Sequence, residues 1–143
     1  MKRSRGLKNV SRLRQKLRRF PNDVTAEIKD EVRSFAADVE ASMKFRAASS
    51  SRRVVDSISK AIGADGMSAK IGIRGKRARA RAWFAHFIEF GTAPHSLGSR
   101  GGAHPGTAAR PFMEPSFEEN RVHYQPRIRR AIDAAIAKVS RGV

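Results

Sequence analysis

Four side chains close together in the chain have the types that do acid–base or metal chemistry: His86, Glu89, His95 and His104. Glu89 is the one acid in a long basic and apolar stretch, and burial would perturb its proton affinity. A general acid or base needs a second positioned group, however, and Glu89 has no partner carboxylate in its neighbourhood of the sequence. His95 and His104 flank a loop and could share a metal ion, but no third ligand follows at a recognisable spacing. His86 falls within an aromatic run, where a partly buried structural imidazole is the simpler interpretation. The segment Gly101–Thr107, GGAHPGT, has the glycines of a phosphate-binding loop but lacks the lysine before its threonine, and it opens no helix. A hydrolase or metal enzyme using Glu89, His95 and His104 is the catalytic reading these residues allow. No constellation of nucleophile, base and oxyanion donor assembles around them, so the expectation is no enzyme, no cofactor and no metal.

Whatever these residues do, the elements around them set their positions. Ala80 to Phe90 is expected as a strand, with Phe84, His86, Ile88 and Phe90 on one face and Trp83, Ala85, Phe87 and Glu89 on the other. Both faces then carry aromatics, which calls for a covering layer or a second subunit. About twenty loop residues, 91–111, follow and close on Arg110-Pro111-Phe112; loops of that length in compact domains are usually functional or disordered. Gly91 can turn the chain sharply at positive φ, and Pro111 holds Arg110 extended. Arg110 can pair with Glu89 across the neck of the loop, or both can be exposed, where such a pair adds roughly 0 to 1 kcal/mol.

Upstream, Leu7, Val10, Leu13, Leu17 and Phe20 recur at three and four residues, describing a basic amphipathic helix over 1–22 that Pro21 should end. Asn22 or Asp23 can cap a second, long helix over 23–47, with Val24, Ile28, Val32, Phe35, Val39 and Met43 inward. Val54 to Ile62 fits a helical turn running into a strand, Gly63–Gly66 a turn, and Met67–Arg74 a half-buried strand. Gly75 to Arg79 would be a basic hairpin connection to the third strand. Past the loop, 112–140 has helical spacing, with Phe117, Ile128, Ile132, Ile136 and Val139 inward and a kink or new start at Pro126. The sum is an α+β fold in one domain, 1–143, with strands within 54–90 and the closing helix packed on a small antiparallel sheet.

The 143 residues carry 30 Lys and Arg against 13 Asp and Glu, a net charge of +17. Two acid-free segments concentrate it. One holds Lys2, Arg3, Arg5, Lys8, Arg12, Arg14, Lys16, Arg18 and Arg19; the other holds Lys70, Arg74, Lys76, Arg77, Arg79 and Arg81. Such footprints face a polyanion or an acidic protein. With one Trp and one Tyr there is no aromatic stacking platform, so any nucleic-acid contact would be electrostatic and salt-sensitive. The chain has no cysteine, which excludes disulfides and thiolate metal sites. No apolar run is long enough to span a bilayer, and MKRSRGLKNV lacks the apolar core of a signal peptide.

The loop and its borders carry a resemblance. HFIEFGT, a Gly- and Pro-rich loop, then HPGTAARPFMEPSFEEN resemble the small neck and tail-completion proteins of long-tailed double-stranded DNA phages, the gene-product-ten-like tail-component family of lambdoid phages. The matching order is Glu89-Phe90-Gly91-Thr92, His104-Pro105-Gly106-Thr107 and Arg110-Pro111-Phe112, followed by Pro115 and Glu118-Glu119-Asn120. GLKNVSRLRQKLRRFPNDV and VVDSISKAI are similar to the family's opening helices and to its lead into the first strand, so the likeness covers nearly the whole chain. It departs at Ser49–Arg53, which stands where the family often has a Thr-Gly turn.

The resemblance implies a non-enzymatic virion protein of the neck, assembled in the host bacterial cytoplasm and joining or completing the tail as a ring around the DNA channel. Its implied partners are other copies of itself and neighbouring neck, connector or tail-tube proteins, with no membrane. The implied subunit interface comprises Trp83, Phe84, Phe87, Glu89, Phe90, Gly91 and Thr92 with His104, Pro105, Gly106, Arg110, Pro111 and Phe112. The two basic segments would face double-stranded DNA in the lumen or an acidic partner. The charge alone also fits a sequence-independent basic nucleic-acid-binding protein.

Overall fold

The computed structural model describes residues 5–98 and 101–141, with side chains from Asn22 onward and that of Val139 excepted. Helix α1, Arg5–Ala47, is followed by α2, Arg52–Ser57, and by strands β1, Ile58–Ile62, and β2, Ala69–Ile73. Two short helices, α3, Lys76–Arg81, and α4, Ala85–Phe90, lead into the miniature strands β3, His95–Ser96, and β4, Ala103–His104, and then into α5, Glu114–Ser140. The class is α+β. Lys2 and Arg3 lie outside the described residues, as do the side chains of Arg5, Lys8, Arg12 and Arg14, of the stripe Leu7 to Phe20, and of Val139.

At 1.5 Å per residue, the 43 residues of α1 extend about 65 Å. The helix runs through Pro21, where the sequence suggested a break. Proline removes one backbone donor and crowds the preceding turn, but that penalty is local, and its neighbours include no second helix breaker. From Val24 onward the expected stripe is the inward one: Val32, Val39 and Met43 are buried, together with Ala36 and Ala47.

β1 and β2 pair antiparallel from Ile58↔Ile73 to Ile62↔Ala69. A two-stranded ribbon is marginal by itself, and this one lies on α1. Lys60 of β1 ties it there, donating to Glu40 Oε2 at 2.5 Å while Lys44 donates to Oε1 of the same carboxylate at 2.6 Å. These two bonds hold the Glu40 carboxyl below its ordinary pKa, the one from Lys44 foremost.

The expected third strand over 80–90 is two helices. Gly75, at φ 82°, ends β2, and the Lys-Arg-Ala-Arg-Ala-Arg run that follows is made of strong helix formers. In α4 the inward residues are Ala85, Ile88 and Glu89, at helical spacing. The aromatics on both faces of the supposed strand were the sign of the wrong period: a helix distributes them around its circumference.

Helix α5 lies along α1, its most extensive neighbour, rather than on the sheet. It is continuous through Pro126. Its inward face is set one step round from the expected one: Ser116 and Ala135 are buried, Ile128 and Ile132 half-buried, while Phe117 and Ile136 are exposed. A polar clamp at Arg127 sets this register. Its guanidinium donates to Glu31 at 2.8 Å, Asp38 at 2.7 Å and Ser34 Oγ at 2.5 Å, all on α1. The hydrogen bond to Asp38 and the charge of Glu31 raise the Arg127 pKa against the effect of partial burial. Tyr124, its ring tilted against Phe35 with centroids 4.4 Å apart, has its phenol pushed up by burial and by Glu31.

Candidate functional site

Glu89 sits at the C-terminal end of α4 with only 4% of its surface exposed. Its carboxylate accepts three backbone N–H groups: Phe112 at 2.7 Å, Met113 at 3.0 Å and Glu114 at 3.2 Å. Glu114 opens α5 and Phe112 and Met113 lead into it, so the carboxylate gathers the donors at the entry to the helix, where the helix dipole favours a negative charge. The exchange runs both ways, because the Arg110 N–H donates to the Ile88 carbonyl of α4 at 2.7 Å. The end of α4 and the segment 110–114 that leads into α5 are thus tied by four hydrogen bonds. No ion pair joins Glu89 to Arg110 among the described residues; the acid is engaged by amides and the Arg110 side chain is exposed.

The stretch between them is a hairpin-like arm rather than an open loop. Thr92 and Thr107 exchange both backbone hydrogen bonds, at 2.9 and 3.0 Å, and His95↔His104 and Ser96↔Ala103 continue the ladder outward. Each threonine follows a glycine that the geometry requires. A Cβ on Gly91, at φ 72°, would lie 2.5 Å from the Thr107 carbonyl oxygen; one on Gly106, at φ 84°, would lie 2.3 Å from that of Thr92. The two Gly-Thr pairs are therefore the two halves of one close crossing. Phe112, fully buried, fixes the return of the arm in the core beside Met43, Ala82 and Ala85.

His95 and His104 stack across the ladder with ring centroids 5.0 Å apart, and His104 Nδ1 accepts the Gly106 N–H at 3.0 Å. No group of three or more side chains able to hold a metal ion occurs among the described residues. Between the arm and α4 opens a cleft of about 660 Å³, lined by Phe87, Phe90, Thr92, His95, His104 and neighbouring residues. Two of its aromatic side chains are exposed, Phe90 at 74% and Phe87, and Trp83, 65% accessible, meets Phe87 edge-on at 5.9 Å. On α3, Lys76, Arg77 and Arg79 are exposed and make no ion pair among the described residues, while Arg81 is held by Asp56 at 3.2 Å. Lys70 is exposed on β2, and Arg74 donates to its carbonyl at 2.9 Å.

The thirteen interface residues named from sequence therefore separate. Glu89, Gly91, Gly106 and Phe112 build the arm's root from inside, and Phe84 packs against the core. Trp83, Phe87 and Phe90 form an outward face. The remote cap by Glu89 was missed, although a lone acid within the motif and Pro115 near a helix start were its visible signals. Phe45 was missed as well: it is 85% exposed on α1, two residues from buried Met43 and so on the opposite side of the helix.

A family model described as "Bacteriophage HK97-gp10, putative tail-component" matches residues 11–91, more than half of the chain. The match takes in most of α1 and everything through α4 to Gly91; the arm and α5 lie beyond it. Comparison with curated proteins and with solved structures gives no match.

Proposed function

The chain belongs to the HK97-gp10-like family of bacteriophage tail components, and from that premise we propose that it acts in the phage neck, joining or completing the tail as one subunit of a ring around the DNA channel. Its role is structural and its place is the virion. The observation that carries this reading is the outward aromatic face that Trp83 makes with Phe87 and Phe90 of the tied α4. A contiguous exposed aromatic surface is costly for a free chain and marks a site of association. The Glu89 and Arg110 exchange fixes that face and the arm in one geometry, as a joint between protein layers requires. Among the described residues no helix is long and apolar enough to cross a membrane.

The unpaired bases of α3 support a second contact, with the phosphates of DNA in the lumen or with an acidic neighbouring ring. Contacts of that type position without reading sequence, which suits DNA that must slide past. A sequence-independent nucleic-acid binder acting alone would use the same bases but has no need for the aromatic face or the arm.

The test is assembly in extracts. Phage particles made without this protein should accumulate unjoined heads and tails, and adding the purified chain should restore joining. The Trp83→Ala/Phe90→Ala chain, still folded by circular dichroism, should fail to restore it. Full restoration by that variant would remove the aromatic face from the function; no joining defect without the protein would overturn the neck assignment.

A further inference from the structure

We propose that His104 is a proton-operated latch on the arm: its neutral imidazole holds the Thr92–Thr107 crossing closed, and protonation releases β3 and β4 while the root of the arm stays in place. The latch lies within one chain and acts whether or not copies assemble. Three histidines line the cleft, and each bonds to main chain through Nδ1. His86 Nδ1 meets the Trp83 carbonyl at 2.9 Å and His95 Nδ1 meets the Ala93 carbonyl at 3.1 Å. A carbonyl only accepts, so both nitrogens carry a proton, and both bonds survive when the ring gains a second one. His104 is the reverse case. Its Nδ1 lies 3.0 Å from the Gly106 amide nitrogen, which only donates, so Nδ1 is bare and Nε2 carries the proton. The one lone pair on which a further proton can settle is the one that the Gly106 N–H already occupies.

The surroundings do not offset the charge that protonation would add. His95 faces His104 across the ladder, ring centroids 5.0 Å apart and planes 22° from parallel, and His86 of α4 lines the same cleft; no other lining residue is ionisable. Glu89 of α4 is turned to the amides of 112–114, and no carboxylate joins the two stacked rings among the described residues. A proton on each ring would set like charges together. The bond that is lost lies at the crossing itself. Gly106, at φ 84°, passes so close to Thr92, Ala93 and Pro94 that a Cβ would collide with their backbone, and Thr107 beside it exchanges both hydrogen bonds with Thr92. Beyond the crossing the ladder is only His95↔His104, Ser96↔Ala103 and the Leu97 N–H to Gly102 carbonyl bond at 3.1 Å, and so short a ribbon is marginal by itself. The root, held by Glu89 and by buried Phe112, involves no histidine. The closed arm keeps Nδ1 of His104 free of a proton and the open arm does not, so proton uptake and opening are coupled and acid favours the open arm.

The test is residue-resolved amide exchange on the 143-residue chain between about pH 8 and about pH 5, the range over which histidine gains charge, with each rate divided by its intrinsic rate at that pH. The nitrogen spectrum of the His104 ring is followed over the same range. At the upper end His104 should hold its proton on Nε2. As pH falls, protection of the Gly106 and Thr107 N–H groups should drop by roughly 3- to 10-fold, about what one hydrogen bond is worth, with the midpoint at which the ring gains its second proton. The amides of β1 and β2 should keep their protection. His104→Asn, whose side-chain oxygen takes the place of Nδ1 and stays unprotonated, should hold the arm closed throughout, and His95→Gln should still show the drop. A His104 ring with its proton on Nδ1 at the upper end, arm protection that is constant with pH, or a drop that persists in His104→Asn would each overturn the latch. Should His104→Asn be open at every pH, the native chain decides alone: coincident midpoints of ring and amides support the latch, and separate midpoints overturn it.

Discussion

Glu89 is the only acid between Asp65 and Glu114, and its three amide partners make it the residue on which the arm depends. Removing it leaves the buried Phe112 N–H and the part-buried Met113 and Glu114 N–H groups without an acceptor, each costing part of its desolvation. Glu89→Ala should therefore lower the unfolding free energy by about 2–4 kcal/mol in urea titration, and Glu89→Gln, which keeps one acceptor oxygen, by less. A loss below about 0.5 kcal/mol for the alanine would mean that the carboxylate is not what holds α5 to α4. The glycines allow a paired comparison. Gly91→Ala combines a positive φ with a Cβ 2.5 Å from backbone oxygen, whereas a Cβ on Gly98, at φ 62°, meets nothing within 4 Å. Gly98→Ala should cost about 1–2 kcal/mol from backbone strain alone, and Gly91→Ala clearly more, because the Thr92–Thr107 crossing must open. Equal losses would show that the crossing adjusts without penalty. The Glu-Phe-Gly-Thr and Arg-Pro-Phe residues could be singled out from sequence by type and order, but not their roles. Glu89 acts on main-chain donors more than twenty residues away, and backbone donors leave no trace in side-chain identity.

At the level of elements, the sequence was informative where one face of an element meets one neighbour. The α1 stripe from Val24 to Met43, the β1–β2 ribbon and its Gly63–Gly66 turn are legible because one periodicity dominates each. It was least informative where a short element carries apolar residues on its exposed side as well as its buried one, as in 80–90, since strand and helix periods both fit eleven mostly apolar residues. The α5 register was hidden for a different reason: Arg127, not an apolar residue, locks it to α1. Arg127→Ala should cost about 1–3 kcal/mol, discounted because its partners are partly exposed, and Arg127→Lys should recover only part, having no planar fork for three acceptors. Lys138, whose pair with Glu27 is solvated, should be replaceable by Ala with no measurable loss in the same titration. The α1–sheet tie at Glu40 gives a pH dependence with a definite sign. Its folded-state pKa is depressed by Lys44 and Lys60, so its contribution is complete above the ordinary carboxylate value and is lost as pH falls through the lower, folded value. Stability of the Glu40→Gln chain should fall less steeply than that of the native chain between about pH 5 and pH 3. Parallel curves would mean that the Lys60 bridge contributes nothing to holding the sheet.

For the whole molecule, a net charge of +17 on 143 residues sets two tendencies against each other. Copies of so basic a chain repel one another, while each attracts any polyanion. If aromatic burial holds copies together, salt should strengthen that association, because screening shortens from about 10 Å at 0.1 M to about 3 Å at 1 M and apolar contact is not screened away. Phosphate binding has the opposite sign: each neutralised phosphate contributes about −0.9 to the slope of log affinity against log salt. The expected result on the 143-residue chain is a multimer fraction that rises from about 0.05 to about 0.5 M salt while duplex DNA of arbitrary sequence is released over the lower part of that range. The Lys76→Gln/Arg77→Gln/Arg79→Gln chain then separates the roles of α3. With three phosphate contacts removed, the DNA slope should shrink by about 2 to 3, and the multimer should form at lower salt than in the native chain. An unchanged DNA slope would take α3 off the DNA path and turn its bases toward an acidic protein ring. A multimer that dissolves with salt would mean that charge pairs, not the aromatic face, hold the copies together.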